Sequence, residues 1–216
     1  GQRPDFDAVL IQGIREVSSV DFAFANQLGF RIKLVGFAEP GLTPNMQTCL
    51  LPLESQLAKV NGVLNAVEYH GSPVGAVLLV GPGAGGGATS SAVLSDLIDI
   101  AAGRYTLPFG KPVAALADAR SIGNGDGPDR PYYVRLMVVD QPGVLASVTS
   151  ILQRFNISIE GLLQKGRAPN DVVALVMTTH ETPVKSLYQA LGEIEKLSSV
   201  RAKPVAMPIL PVDMEA

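Results

Sequence analysis

The stretch LLVGPGAGGGATSSAVLSDLIDIAA, residues 78–102, holds the residue types and spacing most suggestive of chemistry. An apolar run enters a glycine cluster, a helix-like segment leaves it, and Gly81, Gly83 and Gly86 keep the spacing G-x-G-x-x-G. Such a loop can turn backbone N–H groups toward a phosphate at a helix start. A dinucleotide fingerprint also needs an acidic residue at the end of a second parallel strand, to hold the ribose. Asp96 and Asp99 fall inside the expected helix, and Asp118, after KPVAALA, lies too far along. A Walker loop is excluded because no Gly-Lys-Ser/Thr follows. Two readings remain. The glycines permit a tight strand-to-helix turn, or N–H groups near Thr89 approach a ligand's anion from outside a Rossmann domain.

Other reactive types are sparse. Cys49, in QTCLLP, is the single cysteine; it has no neighbouring base, reads as a small buried hydrophobe and excludes an internal disulfide. With only His70 and His180 as histidines, no metal site is expected. Lys33, in RIKLVG, reads as a surface or strand-edge residue and Asp21 as a helix-start residue. Lys165, Arg167, Asp171 and His180 read as solvated loop residues. The net charge of −3 and the lack of any Lys/Arg run exclude a nucleic-acid or anionic-membrane surface. With 47% apolar residues the chain can bury a core. No 18-residue apolar run or leader is visible, so the expectation is a soluble, cytoplasmic protein. The opening GQRPDFD lacks a methionine, which suggests that an upstream part is missing.

These residues need elements to position them. Gly, Pro, Asn and Asp crowd ARSIGNGDGPDRPYY, which sets a linker at 119–130 between a unit at 1–118 and a unit at 131–216. In the first unit SSVDFAFANQLGF reads as a helix with Phe22, Ala25 and Leu28 on its apolar face. RIKLVGFAE reads as a strand with Ile32, Leu34 and Gly36 on one face, and TPNMQTCLLPLE as a short strand broken by Pro52. GVLNAVEYHG and VGAVLLVG form two strands joined at HGSP, and a helix runs from about Thr89 to Ala102. The second unit alternates strand, helix, strand, strand, helix, strand, the ferredoxin-like order. The fold class is α/β (α+β): a mixed-sheet unit followed by a βαββαβ unit.

The order QGI…VDFAFANQLGFRIKLVGFAE, LAKVNGVLNAV, GPGAGGGATSSAVLSDLIDIA resembles the catalytic and oligomerising domain of bacterial homoserine dehydrogenases. The resemblance runs through nearly all of residues 8–102. Its departures are Gln12 for a usual Glu, Ala88 for Pro, Ser55-Gln56 for His-Pro, and Ser72 for Asp. It implies NAD(P)-dependent reduction of aspartate semialdehyde to homoserine, with Gly83, Ala84, Gly85 and Thr89 packed against the nicotinamide cofactor (NADP or NAD). Gly85 makes the closest approach in this reading, and Thr89 caps the helix. The family's Rossmann domain and catalytic lysine segment lie upstream, so no catalytic residue is assigned within 1–216 and the chain alone is expected to be inactive.

VRLMVVDQPGVLASVTSILQRFNISIEGLLQKG resembles the ACT module, an amino-acid-sensing domain whose copies usually pair around their ligands. Pro142 suits the first turn of its helix, and Gly143 leaves the N–H groups of Gly143, Val144 and Leu145 open to a carboxylate. Asp140 is placed to take an ammonium group, and Gln141 or Asn156 to bond the ligand's side chain. The competing reading has Asp140 capping the helix, Asn156 making a turn, and the unit serving as a dimer contact. Threonine is the effector the family implies, with a dimer or tetramer as the assembly. The rival from another class is a non-enzymatic module that binds an amino acid and oligomerises.

Overall fold

Alternation decides the second half of the chain. The structure, a computed structural model, describes residues 7, 9–38, 44–105, 107, 110–115, 128–164 and 170–212. Strand β6, Tyr132–Val139, sends Tyr132, Val134, Leu136 and Val138 into one apolar cluster and Tyr133 into another. The first cluster is closed by helices α3, Val144–Arg154, and α4, Val184–Ile194. Leu187, Ala190, Leu191 and Ile194 recur at helical spacing, so α4 lays one stripe on the sheet. With β7, Ile159–Gln164, β8, Val172–Thr179, and β9, Val205–Pro208, the sheet takes the order β7-β8-β6-β9, all antiparallel. This is the βαββαβ arrangement expected from the sequence.

The first unit is less regular. Strands β1, Leu10–Ile11, β2, Phe30–Phe37, and β3, Asn45–Pro52, form a sheet of order β1-β3-β2, and α1, Ser19–Gln27, lies between β1 and β2 in sequence. Strands β4, Leu64–Gly71, and β5, Gly75–Pro82, pair as a separate antiparallel hairpin. Helix α2, Gly86–Ala101, follows it and has no buried residue.

The free face of the second unit's sheet is covered by the first unit. Phe24 and Ala25 of α1 and Leu50 of β3 pack with Tyr133, Val176, Val205, Met207 and Ile209 in one cluster. The chain leaving β9 then joins the edge of β3: Leu50 pairs with Ile209, and Leu210 N–H donates to Leu50 O (2.9 Å). The two units thus share a core and a strand edge. The expected linker lies outside the described residues from 119 to 127. Arg130, at its end, bridges to Thr182 and sits 5.6 Å over the Phe37 ring.

Four local expectations are corrected. Phe22 is 56% exposed, while Phe24 is buried, because α1 turns Asp21, Phe24 and Ala25 inward. Leu34 is exposed on β2 although Ile32 packs inward, because the cluster around Phe24 and Leu50 takes in Phe30 and Ile32 and does not extend to Leu34. Helix α2 begins a turn before Thr89, and Pro142 precedes α3, whose N-cap is Gly143.

Candidate functional site

The glycine loop joins an antiparallel hairpin to a helix. Among the described residues β5 pairs only with antiparallel β4 and no parallel strand joins it after α2, so the G-x-G-x-x-G spacing does not sit in the βαβ unit that a dinucleotide fingerprint needs. Gly85 is the N-cap of α2 with φ +117°, a conformation L side chains rarely adopt, and nothing lies within 4 Å of where its Cβ would stand. Gly83 is constrained in a different way: a Cβ there would sit 1.5 Å from Asn65 Nδ2 unless that side chain moved. Its N–H donates to Val63 O (3.0 Å), so loop and hairpin are closed on each other. Thr89 does not cap the helix. It lies inside it and donates its N–H to Gly85 O (3.0 Å), which leaves the preceding amides of Gly86, Gly87 and Ala88 at the open helix end. Gly83, Ala84 and Gly85 are exposed beside that end.

At the start of α3 the backbone turns at Gly143, φ +89°, and the helix ladder begins with Ser147 N–H to Gly143 O (3.0 Å). Leu145 is exposed in that first turn, while Val144 N–H bends back to Gln141 O at 3.4 Å. Asp140 is not the helix cap. Its backbone is bonded to residues 170–171, and its Oδ1 accepts from Gln164 Nε2 (3.4 Å) on β7. Gln141 Nε2 donates to Asn170 Oδ1 (3.0 Å). Asp140, Gln141, Gly143, Val144 and Leu145 thus form one segment that runs from the end of β6 into the first turn of α3, braced by β7 and residue 170. Asn156 stands apart from them. It takes φ +56° after α3, and an eleven-residue helix places it about 16 Å from Gly143. Of the solvated residues, Lys165 and Arg167 lie outside the described residues, and Asp171 and His180 are exposed.

Two arrangements escaped the sequence reading. The first is a cleft of about 1200 Å³ between β2 and β4. Its walls include Lys33, Asn61, Arg130 and a Glu68–His70 pair at 2.7 Å. Lys33 donates to Val60 O and to Asn61 Oδ1 (3.3 Å), and desolvation, then the Arg31 charge, lowers its proton affinity. Glu68 and His70 share a face of β4 by their spacing of two, the one sequence signal that was available.

The second is a buried ion pair across the seam between the units. Asp21, fully buried in α1, receives Tyr133 OH (2.8 Å) and Arg135 Nε (2.7 Å) on Oδ1, and Ser18 N–H (2.7 Å) and Oγ (2.9 Å) on Oδ2. Arg135 Nη2 donates to Glu16 O (3.0 Å). Nearby, Gln12 Nε2 donates to Ala206 O (3.4 Å), a bond the carboxylate usual at that position could not give. Cys49 is fully buried in β3, as its sequence context implied. Among the described residues no group of His, Cys, Asp and Glu could hold a metal ion, and no helix is long and apolar enough to cross a membrane.

Comparison with known proteins follows the same division. The homoserine dehydrogenase family model matches residues 1–98, and the ACT domain model matches residues 132–199. A homoserine dehydrogenase of Neisseria gonorrhoeae is 35% identical over 96% of this chain, and one of Pseudomonas aeruginosa is 35% identical over 90%. The crystal structure of a homoserine dehydrogenase from Thiobacillus denitrificans superposes with TM-score 0.78 at 33% identity, covering 96% of this chain and 49% of that one. A Staphylococcus aureus homoserine dehydrogenase structure gives TM-score 0.59 at 26% identity. The matched region is 49% of the Neisseria relative and 47% of the Pseudomonas one. The chain therefore carries a homoserine dehydrogenase family segment at residues 1–98 followed by an ACT domain at residues 132–199, and spans about half the length of the relatives it matches.

Proposed function

We propose that this chain supplies the substrate-side and regulatory half of an NAD(P)-dependent homoserine dehydrogenase, which interconverts L-homoserine and L-aspartate 4-semialdehyde. The observation that carries the reading is the open N-terminus of α2 at Gly85, presented at the end of the β4–β5 hairpin, with nothing within 4 Å of where a Gly85 Cβ would stand. The nicotinamide cofactor supplies the hydride acceptor. This chain's part is one wall of its site: Gly83, Ala84 and Gly85 present a side-chain-poor surface, and the free amides after Gly85 favour an anionic group. Thr89 contributes from inside the helix rather than as its cap. Helix α2 exposes Val93, Leu94, Leu97 and Ile98, so a cofactor-binding domain packed there would bury an otherwise wet apolar surface.

The ACT unit serves as the amino-acid sensor, with L-threonine as the effector. Its loop offers the first-turn amides of α3 to a carboxylate and the Asp140 carboxylate to an ammonium group. Asn156 stands too far from that loop to join it within one chain. It meets the ligand only where two copies lie side by side, which makes the sensing unit a pair. The outer face of the β4–β5 hairpin, with Val67, Tyr69 and Leu79 each more than 60% exposed, favours a homo-oligomer as well.

The test is a chimera in which this chain replaces the matching half of the Neisseria gonorrhoeae enzyme. Homoserine-dependent reduction of the nicotinamide is expected in the chimera and not in the chain alone. A folded chimera without activity would count against the reading.

A further inference from the structure

The seam between the units uses a buried charge where apolar contacts would have sufficed. Around it Phe24, Ala25, Val176 and Met207 already exclude water. Burying a carboxylate is costly, and a well-packed apolar pair often holds as well as or better than a buried ion pair. What Asp21 adds is direction. One oxygen is fixed by Ser18 at the start of α1, and the other by Tyr133 and Arg135 of β6. Through Glu16 O the same guanidinium holds the segment that leads into the helix. Strand β6 is the central partner of β8 and β9, paired along both edges, so it moves as a rigid piece. Five residues beyond Arg135, about 17 Å along the strand, it opens into the Asp140–Leu145 loop.

We infer that Asp21, Tyr133 and Arg135 form a coupling latch: a shift of β6 set by the state of the Asp140–Leu145 loop reaches residues 12–18 and the start of α1, and the reverse. Only the identity of the effector rests on the sensor reading above. The latch itself is a property of the unliganded chain, because coupling between two sites is reciprocal.

Amide hydrogen exchange on the 216-residue chain tests it without ligand. Tyr133→Phe removes one bond to Asp21 and leaves the ion pair, so the variant should fold; Arg135→Met is the stronger break. The latch requires exchange at residues 143–147 to quicken at least about fivefold in Tyr133→Phe, the lower end of usual site-to-site coupling. Amides of α4, in the opposite core, should stay unchanged. Changes confined to residues 18–24 and 133–135, or an equal rise in α4, would overturn it. In a second arm, saturating L-threonine should slow exchange at the start of α1 in the parent chain and not in Arg135→Met. If calorimetry shows no threonine binding, the effector assignment fails, and the ligand-free arm still decides the latch.

Discussion

Burial raises the proton affinity of three side chains near the seam. The Cys49 thiol is pushed up to about 12, chiefly by burial, with the Arg130 charge opposing. Burial and then Tyr188 push Tyr132 up to about 12, and burial, the Asp21 charge and the hydrogen bond to Asp21 raise Tyr133 above the usual phenol range. A group whose folded affinity is raised keeps its stabilising effect below its unfolded pKa and loses it as pH climbs toward the folded one. The three therefore make the chain lose stability above about pH 9, by about 1.4 kcal/mol per pH unit for each group titrating. Half-buried Lys33, with its affinity lowered, acts in the opposite sense, and Tyr188, raised by burial, adds a fourth group to the three. Urea midpoints at neutral pH and at about pH 10.5 should differ, and Cys49→Ala should flatten the first part of the fall. A flat profile would show that these side chains are wet. Sequence reasoning found Cys49 because its apolar context is local. It could not find the Asp21 pair, whose partners lie 112 and 114 residues away.

At the scale of elements, the two glycines of the loop differ in what they demand. Gly83→Ala meets only the Asn65 side chain, which is exposed and can swing aside at a cost of about 1 kcal/mol for an unfavourable rotamer. Gly85→Ala meets nothing, yet forces a β-carbon onto φ +117°, which costs about 1–3 kcal/mol and cannot be relieved by a neighbour. Asn65→Ala should therefore rescue Gly83→Ala and leave Gly85→Ala unrescued, as read by thermal unfolding of the four variants. Rescue of both would contradict the assigned geometry. The second unit was legible because its strands are rich in apolar residues at alternating positions and its helices carry regular stripes. In the first unit, α1 is short and weakly amphipathic, so Phe22 and Phe24 were indistinguishable until the partner sheet selected Phe24. The start of α2 was misplaced because a glycine run masks helix boundaries; only backbone geometry identifies Gly85 as the cap.

On the scale of the whole molecule, a composition break near residue 119 suggested two units, while the fold joins them through a shared core, an ion pair and the strand edge at Leu50. Neither chain-distant packing nor the parallel contact of Ile209 with β3 leaves a local pattern to read. One consequence is that the second unit's sheet has one face on its helices and the other on the first unit, and among the described residues no strand pairs with the outer edge of β7. Effector binding and pairing should then be linked. The most direct measurement is a calorimetric titration of L-threonine into the chain, with L-serine and L-isoleucine for comparison and sedimentation of the same samples. The account predicts saturable threonine binding, a rise in the fraction of paired chains, and loss of both in Asp140→Ala. Silence with all three amino acids from a folded chain would contradict it and reduce the ACT unit to an assembly contact.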